Sequence, residues 1–326
     1  MLAQAVGNIL INGDFSADLW NRCYSPTAGV ECAVWRQTFA ADRWKLRYAQ
    51  PEGAPVAQAQ SADIPPHANG SCSLEIRGAE GVAQSVFVGQ RIEAAESVRY
   101  RRQLVFSAWV RIVNASAPDA QVKLWLGSAR QPDVFGNAAN DGVKTATCEH
   151  LALPTGRWVH LEHAIDGRPL SAHGLSLELE LPARLLARDI AAVRLAGVRL
   201  DALTAGTAFQ RPAAVETLLA RRFFQRYDAA RLNSLGRALV VNAHELHFQF
   251  TFPEMRAFPA CTLPHDENVL RIFNLEGIPQ TGFRYDVTYR SRGSAIIRAT
   301  RENHGLHDGY LSFVGSGGAI ELDAEL

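Results

Sequence analysis

The run Leu175-Ser176-Leu177-Glu178-Leu179-Glu180-Leu181 alternates apolar and polar residues with a strict period of two. Successive side chains of an extended strand point to opposite faces, so this pattern puts the leucines on one side and a serine with two glutamates on the other. The same period recurs on both sides of it. In Leu104 to Val113, the residues Phe106, Ala108, Val110 and Ile112 share a face. Val122, Leu124 and Leu126 alternate with Lys123 and Trp125, while Val159, Leu161 and Ile165 alternate with His160, Glu162 and Ala164. Ile190 to Leu200 supplies a further long strand, with Gly197 near its middle. Short strands separated by turn residues predict an antiparallel sandwich or barrel, not βαβ units. Gln50 to Gly70, rich in Ala, Pro and Gln, and Ser128 to Gly142, with its Gly, Asn, Asp and Pro, read as surface loops.

The character of the chain changes at Pro212. Val215, Leu218, Leu219, Phe223 and Tyr227 fall at helical spacing, and Pro212 stands just before them, where a proline is tolerated. Strand patterns then resume at Ala238–Val241, Glu245–Phe252, Val269–Asn274, Val287–Tyr289, Ser294–Thr300 and Tyr310–Val314. The expected fold is therefore mostly β. Residues 1–211 form a jelly-roll sandwich, 212–230 a linking helix, and 231–326 a small C-terminal β-domain. No internal repeat points to a solenoid or propeller.

Composition narrows the function. The 326 residues carry 33 basic and 33 acidic side chains, so the formal net charge is zero and the overall basic footprint of a nucleic-acid binder is missing. Lys occurs only at positions 45, 123 and 144; the remaining basic residues are Arg. Five cysteines, at 23, 32, 72, 148 and 261, form no CxxC pair. Cys23 and Cys32 are close enough in sequence to bridge a loop; the plainer expectation is five reduced thiols in a protein assembled in cytoplasm. The N-terminus shows no charged region followed by an apolar stretch and a cleavage site. No segment approaches the ~20 apolar residues of a membrane span, which predicts a soluble chain without membrane insertion.

The opening Asn8-Ile9-Leu10-Ile11-Asn12-Gly13-Asp14-Phe15 resembles the first strand of carbohydrate-binding-module jelly rolls and the N-terminal segment of phage tail-fibre proteins. The later segments Ala41-Asp42-Arg43-Trp44, Phe106 to Arg111, Arg157-Trp158-Val159, Leu195 to Leu200, Thr207 to Pro212 and Glu216 to Phe224 follow in the order seen in such fibres. Phe252-Pro253-Glu254-Met255-Arg256-Ala257-Phe258-Pro259 is similar to the fibre signature Phe-Pro-x-Met-Arg-Ala-x-Pro, and Leu322-Asp323-Ala324-Glu325-Leu326 resembles how these chains end. The resemblance implies a trimeric, non-catalytic fibre or spike of a phage or gene-transfer-agent-type particle. It would be assembled in the bacterial cytoplasm, incorporated in the virion with other virion proteins, and used to attach to host surface polysaccharide. The sandwich begins at about residue 8, without an extended attachment region, which favours a short spike or one piece of a multi-protein fibre.

Aromatic residues on the polar side of strands are the candidate ligand contacts. Trp109, Trp125 and Trp158 each lie opposite the apolar face of their strand. An aromatic ring can stack on the apolar face of a sugar while neighbouring polar groups bind hydroxyls. Trp125 with Lys123 is the first candidate. Trp109 and Trp158 recur as motif positions in the resembled family and read as structural. Trp20 and Trp35, beside Arg22 and Arg36, either line a sugar site or cap the sandwich end. Asp14 and Asp201 are the candidate ligands of a structural calcium, which the resembled modules often hold in this region; calcium needs six to eight oxygens. No other cofactor is expected. His304-x-x-His307 with Asp308 has the look of a metal fragment, but surface histidines are the plainer reading of the C-terminal group His244, His247, His265, His304 and His307.

No nucleophile elbow, P-loop or dinucleotide fingerprint is present. Glu178 and Glu180 alternate on one strand face and in principle could flank a glycosidic bond, but read more simply as its wet side. Three functions stay open: a polysaccharide-binding spike, a structural spike base or connector that binds no sugar, and a glycan-degrading spike.

Overall fold

The computed structural model describes residues 8–15, 30–31, 35–41, 43–49, 58–61, 63–66, 72–80, 82, 84–98, 102–114, 120–135, 143–153, 156–168, 170, 172–188, 190–202, 211–228, 235–264, 270–307, 309–313 and 319–325. The chain is mostly β and divides into two compact units, residues 1–217 and 218–325. Among the described residues no helix is long and apolar enough to cross a membrane.

Among the described residues, the first unit has twelve strands. They are β1 (Val30–Glu31), β2 (Trp35–Ala41), β3 (Trp44–Ala49), β4 (Gln58–Ser61), β5 (Ser73–Arg77) and β6 (Val86–Ile92). After a single helical turn, α1 (Ala94–Ser97), come β7 (Gln103–Val113), β8 (Ala120–Ala129), β9 (Val143–Leu153), β10 (Trp158–Asp166), β11 (Leu175–Leu181) and β12 (Ala192–Ala202). Seven of them form one antiparallel sheet in the order β1-β2-β3-β6-β11-β8-β9, and five form a second in the order β10-β7-β12-β5-β4. The alternation read from the sequence fixes which side of each strand is buried. Leu175, Leu177, Leu179 and Leu181 of β11 join Leu46, Val88 and Leu124 of the first sheet and Ile76, Phe106, Val110 and Leu195 of the second in one apolar core. Burying each such side chain stabilises the sandwich by ~1.5–3 kcal/mol. The long loop expected over 50–70 contains β4, and the loop expected from Ser128 begins two residues later, after Ala129.

The opening run Asn8 to Phe15, expected as the first strand, is not one. Its backbone turns, with Asn12 and Phe15 both in the left-handed region. The Ile9 amide donates to the Leu200 carbonyl and the Val198 amide to the Gly13 carbonyl, and side-chain amides supplement these two main-chain bonds to β12. Asn8 Oδ1 accepts from the amides of Leu10 and Leu200, and Asn8 Nδ2 donates to the Val198 carbonyl. Gln90 pairs with both main-chain groups of Ile11. The segment thereby stays buried with its backbone hydrogen bonds made, as a buried chain requires. Gly13 lies so close to β12 that a Cβ there would stand 2.1 Å from the Val198 carbonyl oxygen. The Phe15 ring packs on Trp44, whose indole N–H donates to the Asn12 carbonyl.

A helix, α2 (Ala213–Arg221), begins in the first unit, and the division between units falls within it. Glu216 on its first turns accepts from the Asn12 amide at 2.7 Å and pairs with Arg211. The helix was expected to continue to Tyr227 but stops at Arg221. Phe224–Asp228 is instead a strand, β13, paired with the penultimate segment of the chain. Phe223, Phe224 and Tyr227 satisfy helical spacing, but the pairing partner at residues 319–323 outweighs that local pattern.

The second unit continues with β14 (Gly236–Asn242), β15 (Glu245–Thr251), β16 (Ala260–Thr262), β17 (Leu270–Phe273), β18 (Pro279–Gln280), β19 (Arg284–Arg290), β20 (Ser294–Thr300), β21 (Tyr310–Phe313) and β22 (Ala319–Asp323). They form a sheet β13-β22-β16 and a sheet β18-β17-β21-β14-β15-β20-β19 around a core that includes Phe248, Phe250, Ile297, Leu311 and Leu322. Within the Phe252–Pro259 signature, Phe252, Met255 and Pro259 are buried, while Phe258 is 71% exposed. Met255 is fully buried, and its backbone exchanges hydrogen bonds with Arg292 through an amide and a guanidinium. Arg256 donates to the Ala324 carbonyl and lies 5.8 Å from the Phe223 ring centre, while Glu254 pairs with Arg292.

Candidate functional site

The outer face of the seven-stranded sheet gathers the polar sides of β3, β6, β11 and β8. Strand register lines these residues up in rows. One row runs Lys45–Gly89–Glu178–Trp125 and the next Arg47–Phe87–Glu180–Lys123; Arg91 and Ser176 begin a third. Trp125 and Lys123, paired as the first candidate in the sequence, thus stand on one surface with the two glutamates of β11.

Glu180 organises the second row. It accepts from the Trp125 indole N–H at 2.8 Å, the Ser85 hydroxyl at 2.9 Å and the Lys123 ammonium at 3.3 Å. Its side chain is 11% exposed. Burial alone would raise its carboxyl pKa, but the three donors outweigh it and hold the pKa below the ordinary carboxylate range. Glu178 pairs with Arg47 at 3.0 Å, and the Arg47 guanidinium lies 4.1 Å from the centre of the Phe87 ring. The face is therefore not the wet side that alternation alone predicts. Arg47 of β3 and Lys123 of β8 pair with these carboxylates from the neighbouring strands, and the side chains of Glu178 and Glu180 are 16% and 11% exposed.

Gly89 opens the middle of this surface. A Cβ there would stand 2.2 Å from the Leu177 carbonyl oxygen, so no side chain fits. The result is a shallow depression floored by Gly89 and Ser176 and edged by Lys45, Arg47, Arg91 and Glu178. Arg91 lies 5.3 Å from the centre of the Phe135 ring, in the loop that follows β8. That loop is pinned: Asp133 accepts from the Ala94 amide at 2.7 Å, and its own amide donates to the His173 carbonyl.

The other sheet presents a different outer face. Asp63 accepts from Arg111, Arg194 and the Trp158 indole, and Glu75 from Arg77 and Arg194. Burial would raise the pKa of Glu75; hydrogen bonds from the two arginines lower it further than that. Trp109 packs on His160 at 4.9 Å and contacts the bulge at Gly197. Trp158 thus belongs to the ion-paired cluster around Asp63, and Trp109 to a ring pair with His160.

The remaining candidates fall elsewhere. Trp20 lies outside the described residues; Trp35 begins β2, opposite Ala49, but its side chain lies outside them. Asp201 stands in β12 and accepts from Arg199 at 2.8 Å, while Asp14 follows the Gly13 turn. Among the described residues no group of three or more His, Cys, Asp or Glu is placed to hold a metal ion. His304 is not a surface histidine: it is 4% exposed. Its Nδ1 accepts from the Leu306 amide and its Nε2 faces the Asn242 carbonyl, which uses both ring nitrogens and leaves none for a metal. His265 and Asp308 lie outside the described residues. Sequence reading missed Arg47, Gly89 and Arg91, whose only sequence signal is their position on the polar side of short strands.

No known protein family matches this sequence, and no curated protein matches it. Among solved structures, a putative sugar binding protein from Bacteroides thetaiotaomicron is 12% identical with a TM-score of 0.35, covering 60% of this chain and 99% of its own. A xylan-binding domain of carbohydrate-binding module family 22 is 15% identical, TM-score 0.33, covering 56% and 100%. An arabinose-bound α-L-arabinofuranosidase is 14% identical, TM-score 0.31, and this chain spans only 29% of its length. At such values the sandwich assignment rests on the sheets themselves, and the resemblance to phage fibres on the sequence motifs.

Proposed function

We propose that the chain is a non-catalytic polysaccharide-binding protein that uses the outer face of the seven-stranded sheet, and that it serves as an attachment fibre or spike of a phage-type particle. The observation that carries the first part is the row Lys45–Gly89–Glu178–Trp125. It sets a half-buried indole, anchored at its N–H by Glu180, on the same row as the glycine floor, with Glu178 standing between the two. Such a surface suits stacking on a sugar ring with polar contacts to its substituents. The pairing of Glu180 with three donors argues against a glycan-degrading role. A general acid needs a raised pKa, and the environment of Glu180 lowers it. The second part rests on the ordered motifs from Asn8 to the Phe252–Pro259 signature. It carries the trimer, the virion location and the bacterial host surface as expectations.

A glycan array of bacterial surface polysaccharides, probed with the whole chain, tests the reading. Binding to a subset is expected. Binding to none would favour a structural spike base or connector, and release of reducing sugar from any bound polysaccharide would favour an enzyme.

A further inference from the structure

We infer that the depression beside Gly89 is a subsite for the exocyclic hydroxymethyl group of a hexose, held between the Ser176 hydroxyl and the Glu178 carboxylate. The inference rests on the polysaccharide-binding reading and adds the kind of sugar. Ser176 and Glu178 lie two residues apart on β11 and so share its outer face. Ser176 is 7% exposed and forms part of the floor. Among the described residues its hydroxyl makes no hydrogen bond, whereas a buried polar group ordinarily makes one. The two glutamates of β11 differ in the same respect. Both oxygens of Glu180 are taken, Oε1 by Ser85 and Lys123 and Oε2 by Trp125. Glu178 accepts from Arg47 through Oε2, and among the described residues its Oε1 accepts from none. Glu178 also leans over the glycine: its Cγ stands 2.8 Å from where a Gly89 Cβ would be. A hydroxyl both donates and accepts, so one incoming group can donate to Glu178 and accept from Ser176. Residues two apart on a strand face are separated by about 7 Å, most of which one oxygen with a hydrogen bond of about 2.8 Å on either side spans. The depression holds about 10 Å³, room for one water-sized group and not for a sugar ring. A hydroxymethyl group projects from its ring and can enter while the ring stays above the sheet. Trp125 faces Glu178 from the next strand, so a ring stacked on that indole lies about 4.8 Å, one strand spacing, from the subsite.

Isothermal titration of the whole chain with defined hexasaccharides tests this. Cellohexaose, mannohexaose and galactohexaose carry hydroxymethyl groups along the chain; xylohexaose has the same kind of ring without them. At least one of the first three is expected to bind about tenfold tighter than xylohexaose, the worth of two hydrogen bonds. Ser176→Ala removes a hydroxyl that bonds to no described residue, so its unfolding midpoint is expected to match wild type. The same variant is expected to bind the preferred hexaose about threefold or more weaker and xylohexaose as before. Glu178→Gln keeps the shape, loses the charge and is expected to weaken the same hexaose by a similar factor. Equal or tighter binding of xylohexaose would overturn the hydroxymethyl inference and leave the polysaccharide reading intact. A preference that either variant leaves unchanged would overturn the assignment to this depression. Binding to none of the four would overturn the inference alone if the glycan array shows binding, and the polysaccharide reading with it if the array shows none.

Discussion

Gln90, on the core side of β6, makes both main-chain hydrogen bonds of Ile11, its Oε1 accepting from the amide and its Nε2 donating to the carbonyl, each at 2.8 Å. One side-chain amide thus stands in for a neighbouring strand and holds the irregular opening segment against the sandwich. Gln90 is only 2% exposed, and both ends of its side-chain amide are used by these two bonds.

Gln90→Leu fills the space and removes both bonds. Leaving two buried main-chain groups unpaired costs about 1–3 kcal/mol each. Urea unfolding is expected to shift to lower denaturant by that order, whereas a variant that leaves the midpoint unchanged would show that the segment is held by other contacts.

The donors around Glu180 give the first unit a specific acid sensitivity. Its carboxyl pKa lies below the ordinary 4.5 in the folded chain, so its stabilising contribution is complete above that value. It is lost as the pH falls through the lower folded value. Trp125→Phe keeps the ring and removes one donor. The variant is expected to lose stability above pH 4.5 and to show a smaller further loss on acidification. Unfolding midpoints taken over roughly pH 3 to 7 measure this slope.

His304→Ala leaves the Leu306 amide and the Asn242 carbonyl without the imidazole that meets both. Its 4% exposure leaves water little access to replace those bonds, so a loss of about 2–4 kcal/mol is expected from thermal or urea unfolding. Added zinc is expected to leave the unfolding midpoint of the wild-type protein unchanged if His304 is the structural residue described.

Gly89→Ala would drive a methyl group toward the Leu177 carbonyl oxygen, at 2.2 Å before any adjustment. Overpacking of this kind costs about 1–3 kcal/mol, and the affected pairing is that between β6 and β11. Reduced stability together with weakened glycan binding is expected; unchanged binding in a folded variant would show that the glycine floor is not part of the site.

Much of the sandwich was legible because one face of each long strand is buried. The leucines of β11 and the alternating residues of β7 declare themselves by period alone. The opening segment misled for a physical reason: Asn8 and Gln90 satisfy its backbone from side chains, and no local pattern reveals a partner 79 or 190 residues away. The helix end misled similarly, since the strand that captures Phe224 to Asp228 lies at residues 319–323. At the candidate site, Trp125 and Lys123 were visible as polar-side residues of a strand. Arg47 and Arg91 were not, because only sheet register brings them beside Glu178 and Gly89.

The most direct measurement of the central claim compares two tryptophan variants in affinity electrophoresis through gels containing a polysaccharide that retards the wild-type chain. Trp125→Ala is expected to migrate freely, a loss of tenfold or more in affinity, ~1.4 kcal/mol or above. Trp109→Ala, which alters the ion-paired face of the other sheet, is expected to remain retarded. Retardation of Trp125→Ala equal to wild type, or its abolition by Trp109→Ala with the fold intact, would contradict the assignment of binding to the seven-stranded sheet.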